Sequence, residues 1–143
     1  MRKCLTWAAA LTTVPTLALG CYLAVLQVNG NFHEILPGKL YRSAQPTPSQ
    51  LVQYIQRYGI KTVINLRGPS ERAWYRDEVA TTEKLSVEHL DFRMRASQQL
   101  TPDESERLIA LLKEAPKPVL IHCKAGADRT GLASVIYLQQ IAG

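Results

Sequence analysis

Short apolar stretches alternate along the chain with longer segments in which apolar residues recur every three or four positions. Apolar, β-branched stretches bounded by turn residues are typical of buried strands, and the wider spacing is typical of amphipathic helices. The predicted strands cover residues 39–42, 62–66, 87–92 and 118–121. Because strands alternate with helices, the pattern predicts an α/β fold built in layers.

Residues that favour helix termini mark the ends of the predicted helices. Gly59 is placed to end the first helix, because glycine readily adopts the left-handed conformation that closes helices. Thr101, Pro102 and Glu104 form the capping-box pattern at the start of a later helix. The predicted helices cover residues 48–58, 71–84, 102–115 and 132–138.

A continuous uncharged segment, residues 5–28, follows two basic residues near the N-terminus. At about 1.5 Å per residue, a helix of these 24 residues would be long enough to cross a bilayer. A retained signal anchor, a signal peptide cleaved near Ala18 and Gly20, and a lipoprotein with Cys21 as lipid acceptor all fit the segment. The preceding positive charges place the N-terminus inside, so we expect a membrane-anchored domain in the periplasm or at the cell exterior.

Length and composition fit one folded domain after this segment, residues 29–143. The formal net charge is +5, of which Arg2 and Lys3 supply two, so 15 basic and 12 acidic residues leave +3 for the remainder. That bias suits anionic substrates and is too small to indicate a nucleic-acid partner. Cys123 is the one cysteine of three in the predicted domain, which excludes a disulfide within it, and no Cys or His cluster has the spacing of a metal site.

The strongest chemical signal is the stretch 122–131, between the last predicted strand and the last predicted helix. Five residues separate Cys123 from Arg129, enough for a loop whose N–H groups bind a phosphate at the helix N-terminus. The guanidinium of Arg129 presents a planar fork that grips two phosphate oxygens. We expect this positive loop to lower the pKa of the Cys123 thiol, so that the thiolate attacks phosphorus and water hydrolyses the phosphocysteine.

The other residues of this stretch have supporting roles. Gly126 permits a backbone turn that larger residues cannot take. Thr130 has a hydroxyl placed near the sulfur, and His122 is positioned to brace the loop from behind. The predicted phosphate-binding residues are Lys124, Ala125, Gly126, Ala127, Asp128, Arg129 and Thr130. Four further basic residues are candidates for the entrance to the site: Arg42, Arg67, Arg93 and Arg95.

The stretch 122–131 resembles the HCxxGxxRTG signature of the cysteine-dependent protein tyrosine phosphatase superfamily, and most closely its small bacterial dual-specificity branch. Residues 36–46 and 59–67 resemble the first two strands of that branch, so the resemblance runs from about Asn31 to the end. It implies a central, mostly parallel sheet flanked by helices, a phosphocysteine intermediate, and catalysis without metal or cofactor. That family carries further helices after the signature, and only 12 residues follow Gly131 here, so we expect truncated C-terminal helices.

A general acid must protonate the oxygen that leaves the phosphate ester, and three aspartates are candidates. The family takes this acid from a loop upstream of its cysteine, and Asp91, 32 residues before Cys123, fits that spacing. However, the loop itself, residues 93–100, contains no acid. Asp128 resembles the aspartate inside the phosphate loop of some lipid and tyrosine phosphatases, whereas Asp103 fits an ordinary acidic residue at a helix start. Asp91 and Asp128 stand as equal candidates, ahead of Asp103.

Three functions remain open at this point. The leading hypothesis is a membrane-tethered phosphatase that acts on phosphotyrosine, and also on phosphoserine or phosphothreonine, in proteins. The second keeps the chemistry but takes a phospholipid or inositol phosphate; the membrane segment, Lys124 and Asp128 favour it. The third is an inactive phosphate-binding module, which the presence of both Cys123 and Arg129 argues against.

Overall fold

The computed structural model describes Gly20 and residues 29–143. The rest of the predicted anchor, together with Cys4 and Cys21, therefore lies outside the described residues. In the part of the chain that the structure describes, none of the helices combines the length and the apolar character that crossing a membrane requires.

Within residues 29–143, five strands form one mixed sheet. The strands are β1 (His33–Leu36), β2 (Leu40–Ser43), β3 (Thr62–Asn65), β4 (Glu88–Asp91) and β5 (Val119–His122). Their order across the sheet is β1-β2-β5-β3-β4, with β1 antiparallel to β2 and every other pair of neighbours parallel. The α/β fold with a mostly parallel sheet is thereby confirmed.

Strand β1 has no counterpart in the sequence prediction. His33 and Glu34 are polar and exposed, and Ile35 and Leu36 are half-buried, so only two adjacent apolar residues lie in this strand. The strand forms by pairing with β2, in which Glu34 lies opposite Tyr41. The other four strands begin and end within one residue of the predicted bounds.

Four helices flank the sheet in the described residues: α1 (Pro48–Tyr58), α2 (Ala73–Lys84), α3 (Pro102–Glu114) and α4 (Asp128–Gln140). Helices α1 and α2 cover one face of the sheet, and α3 and α4 cover the other. The predicted caps are confirmed, since Gly59 has a φ of 64° after α1 and the Glu104 N–H donates to the Thr101 hydroxyl over 3.2 Å before α3.

Two predicted helix starts were wrong. Helix α2 begins at Ala73, not at residue 71, after an N-cap residue whose side chain makes no capping hydrogen bond. Helix α4 begins at Asp128, four residues before the predicted start. The last residues of the loop that follows β5 therefore form the first turn of this helix.

Strand β5 lies in the middle of the sheet, and all four of its residues are fully buried. Successive side chains of a strand point to opposite faces. Leu120 packs on the α1 side, whereas Ile121 packs on the side of α3 and α4. His122 therefore points towards α1 and α2, and Cys123 joins the cluster beneath α3 and α4. The strand thus places two consecutive site residues on opposite sides of the sheet.

Candidate active site

The loop between β5 and α4 folds around the sulfur of Cys123. The N–H of Gly126 donates to this sulfur over 3.2 Å. Gly126 has a φ of 68°, in the left-handed region that favours glycine. A Cβ at this position would lie 2.4 Å from the backbone nitrogen of Ala44 and 2.6 Å from the carbonyl carbon of Ser43. Glycine therefore allows the loop to pack directly against the end of β2.

Backbone N–H groups surround the sulfur of Cys123, a residue that is only 2% exposed. Burial raises the pKa of the Cys123 thiol, but four N–H groups oppose it and the net result is a lowered pKa. Those N–H groups belong to Thr130, Ala127, Gly126 and Ala125. The Thr130 N–H is one of these groups, and the Thr130 hydroxyl, which was predicted to lie near the sulfur, donates to the Ala127 carbonyl over 3.2 Å.

The guanidinium of Arg129 reaches from the first turn of α4 back across the carboxyl end of the sheet. Its Nη1 lies 3.5 Å from the carbonyl oxygens of both Leu66 and Met94. These two residues follow β3 and β4, so the guanidinium is held at the sheet edge that also carries the loop. A second guanidinium lies nearby, since burial and the positive charge of Arg129 both lower the pKa of Arg67.

Behind the loop, a buried carboxylate of α2 bonds to His122, the residue that precedes Cys123. Oε1 of Glu78 lies 2.9 Å from Nε2 of His122 and 2.8 Å from Nε2 of His89. Gln45 donates to its other oxygen. Burial raises the pKa of Glu78, but these hydrogen bonds outweigh it and bring the pKa to about 2. The Glu78 carboxylate therefore connects α2 to β4 and β5 through hydrogen bonds and holds the His122 ring in position.

Glu78 could not be recognised from the sequence. A single glutamate within a helical pattern gives no sign that its side chain is buried, and Glu78 is only 2% exposed. The partners are also distant, since Glu78 and His122 are 44 positions apart in the sequence. His122 was predicted to support the loop from behind, and the structure shows that Glu78 is its hydrogen-bond partner.

The four basic residues predicted at the entrance lie in different environments. Arg67 stacks with its guanidinium carbon 3.7 Å from the ring centre of Trp74. Arg42 packs beside α4, and a Cβ on its neighbour Gly131 would lie 3.5 Å from the Arg42 Nη1. Arg93 donates to a nearby carbonyl over 2.8 Å, and Arg95 bonds to a glutamine of its own loop. Burial and then the positive charge of Arg129 lower the pKa of Arg67, so Arg67 lies beside Arg129.

The three candidate acids differ in their partners. Asp91 accepts from the Asn65 amide over 2.7 Å and from the hydroxyl of Tyr75, whose pKa this bond raises to about 12. Asp103 is exposed and pairs over 3.3 Å with an arginine one turn later on α3. Asp128 is exposed at the start of α4, and its carboxylate has no hydrogen-bond or ion-pair partner in the described part of the chain. Asp128 is therefore the candidate that combines an unengaged carboxylate with a position in the loop.

Residues 26–143 match the sequence profile of the tyrosine phosphatase family. This chain belongs to that family. The dual specificity protein phosphatase TpbA of Pseudomonas aeruginosa is 33% identical over 117 residues, which is 79% of this chain and 48% of that protein. The chain therefore spans about half the length of the curated relatives it matches.

Solved structures of similar proteins share the fold. The crystal structure of TpbA has a TM-score of 0.60 at 30% identity, covering 79% of this chain and 65% of that one. A variant of TpbA in complex with phosphotyrosine gives a TM-score of 0.61 at 29% identity, covering 80% and 65%. The catalytic domain of the PP-IP phosphatase Siw14 of S. cerevisiae gives 0.63 at 22% identity, covering 73% and 62%, which shows a common fold alone.

Proposed function

We propose that this chain hydrolyses phosphate monoesters by covalent catalysis at Cys123. The thiolate attacks phosphorus, a P–S bond forms, and the P–O bond to the leaving group breaks. Water then attacks the phosphocysteine, the P–S bond breaks, and inorganic phosphate leaves as the thiolate is restored. Arg129 and the loop N–H groups stabilise the charge on the phosphoryl oxygens. The observation that carries the proposal is the lowered pKa of a buried Cys123 within a loop of inward-facing N–H groups.

We assign the general acid to Asp128. Its carboxyl group protonates the leaving oxygen in the first step, and its carboxylate accepts a proton from the attacking water in the second. Its exposed position in the loop supports this role, because the group is open to an incoming substrate. Asp91 is assigned a structural role instead, since both of its carboxylate oxygens already accept hydrogen bonds from neighbouring side chains.

The substrate class we favour is phosphotyrosine in proteins, with phosphoserine and phosphothreonine as further substrates. The relative TpbA is a dual specificity protein phosphatase, and a variant of it was crystallised with phosphotyrosine. A phospholipid or inositol phosphate is the second candidate. The exposed side chain of Lys124 in the loop and the charge of Arg67 beside Arg129 favour a substrate with more than one negative group.

The full chain assayed against an aryl phosphate, phosphopeptides and phosphoinositides tests the proposal. We expect hydrolysis of the aryl phosphate and of phosphotyrosine peptides; faster hydrolysis of phosphoinositides would replace the first substrate class by the second. Cys123→Ser should abolish hydrolysis and still bind tungstate. A Cys4→Ser/Cys21→Ser variant makes the same change outside the loop and should remain active. A wild-type chain that binds tungstate without hydrolysing any substrate would be a binding module and would overturn the proposal.

We further propose that residues 5–28 anchor the domain outside the cytoplasmic membrane. The charge distribution around this apolar segment supports that orientation. Protease added to intact spheroplasts should digest the domain if the proposal is correct. Protection of the domain until the cells are lysed would contradict it.

A further inference from the structure

One side chain outside the loop bonds to two successive carbonyls of the loop. Nδ2 of Asn31 donates to the carbonyl oxygen of Ala125 over 2.9 Å and to that of Gly126 over 3.0 Å. Asn31 precedes β1 and is 94 positions from Ala125 in the sequence, so the contact is purely tertiary. In the sequence, Asn31 stands only at the point where the family resemblance begins.

The planarity of the peptide bond means that these two carbonyl contacts also set the direction of the N–H groups that follow them. In a planar trans peptide unit, the C=O of one residue and the N–H of the next point in opposite directions. Holding the Ala125 carbonyl outward therefore turns the Gly126 N–H inward, and holding the Gly126 carbonyl outward does the same for the N–H of Ala127. The Gly126 N–H indeed lies 3.2 Å from the sulfur of Cys123. Both N–H groups are among the four that lower the pKa of the thiol.

Asn31 is itself fixed at its other end. Its Oδ1 lies 2.8 Å from Nε2 of His33, so the opposite side of the amide faces the loop carbonyls. Its φ of 47° lies in the left-handed region, which asparagine tolerates better than most residues. The preceding residues are tied down as well, because Ala44 N–H donates to the Gly30 carbonyl over 2.8 Å and the Tyr54 hydroxyl donates to the Asn29 carbonyl over 3.2 Å.

We propose that Asn31 is a positioning residue that sets the orientation of two peptide units in the phosphate loop. Without its amide, either unit can rotate and present a carbonyl oxygen, instead of an N–H, to the sulfur and to a bound phosphate. An acceptor turned towards these negative groups repels them, whereas a donor stabilises them. The inference rests on the proposed function of the same site. It means that a residue outside the signature, Asn31, helps to set the conformation of the loop.

Two substitutions remove the donor in different ways. Asn31→Gly removes the side chain while keeping the left-handed backbone free of strain. Asn31→Asp keeps the shape but places a carboxylate against the two carbonyls. Asn29→Asp is the matched control, because it adds the same charge two residues earlier at an exposed position whose side chain makes no hydrogen bond with the loop among the described residues.

The readouts are the pH dependence of iodoacetamide alkylation of Cys123 and the binding of vanadate. Both are measured in a chain whose other cysteines, Cys4 and Cys21, are changed to serine. We expect both Asn31 variants to raise the pKa of the thiol, to slow alkylation at pH 6 about tenfold, and to weaken vanadate binding about tenfold. The Asn29→Asp control should match the parent in both measurements.

Thermal unfolding of each variant separates this effect from a general loss of structure, which would lower the melting temperature and expose the thiol to alkylation. Unchanged thiol pKa and vanadate affinity in both Asn31 variants would overturn the inference. Neither readout needs turnover, so the inference can fail while the parent chain hydrolyses phosphate esters, and a parent chain without hydrolysis counts against the proposed function alone.

Discussion

Replacing Glu78 by glutamine should destabilise the fold in a pH-dependent way. Folding lowers the pKa of this carboxyl from the ordinary value of 4.5 to about 2. Each pKa unit corresponds to about 1.4 kcal/mol, so the ionised group stabilises the folded state by about 3 kcal/mol. Because the folded-state pKa is the lower one, this stabilisation is fully present above about pH 4.5 and is lost as the pH falls towards 2. The variant lacks the ionisable group and should lack this dependence.

Urea unfolding of wild type and Glu78→Gln between pH 7 and pH 2 measures the effect. At pH 7 we expect the free energy of unfolding of the variant to be lower by about 3 kcal/mol, because the ionised group is lost. The amide of the variant also places a donor opposite the donating amide of Gln45, which acts in the same direction. The difference between the two proteins should shrink as the pH approaches 2. Glu106→Gln, the same change at an exposed position of α3, should shift the free energy by less than about 0.5 kcal/mol. A difference that stays constant across this pH range would refute the reasoning.

Three further substitutions test the site directly. Gly126→Ala should lower kcat/KM by at least about 100-fold, because the new Cβ would lie 2.4 Å from the Ala44 nitrogen and the loop must shift; aryl phosphate kinetics near the wild-type value would contradict this. Arg129→Lys should lower kcat/KM by a similar factor, since an ammonium group cannot bind two oxygens in one plane. Normal turnover of this variant in steady-state kinetics would contradict the role proposed for Arg129. Asp128→Asn should lower kcat and flatten the basic limb of its pH profile. Asp91→Asn should keep that limb, and the reverse pattern would exchange the two assignments.

Features that depend on neighbours in the sequence could be predicted before the structure was known. The capping box of Thr101 and Glu104 lies within four residues, so its pattern is visible in the sequence. The buried strand β5 consists of apolar residues up to His122, and its position before Cys123 follows directly. The residues from His122 to Gly131 are contiguous and lie between a predicted strand and a predicted helix, which is why the sequence could predict a phosphate site.

Features that depend on distant contacts could not be predicted in the same way. Strand β1 is held by its pairing with β2 and lacks an apolar pattern of its own. Asn31 and Glu78 act on residues 94 and 44 positions away, and neither residue type indicates its partner. The sequence leaves the role of Asp91 open, because only the structure shows that other side chains donate hydrogen bonds to both of its oxygens.

Trapping the covalent intermediate is the measurement that tests the catalytic proposal most directly. The full chain is mixed with a phosphorus-labelled aryl phosphate, quenched in acid within the first turnovers, and its peptides are analysed by mass spectrometry. We expect one phosphoryl group on the peptide that contains Cys123, bound through sulfur, and no label in Cys123→Ser. Continued hydrolysis by a chain that never carries phosphate on Cys123, or by the serine variant, would contradict the proposed chemistry.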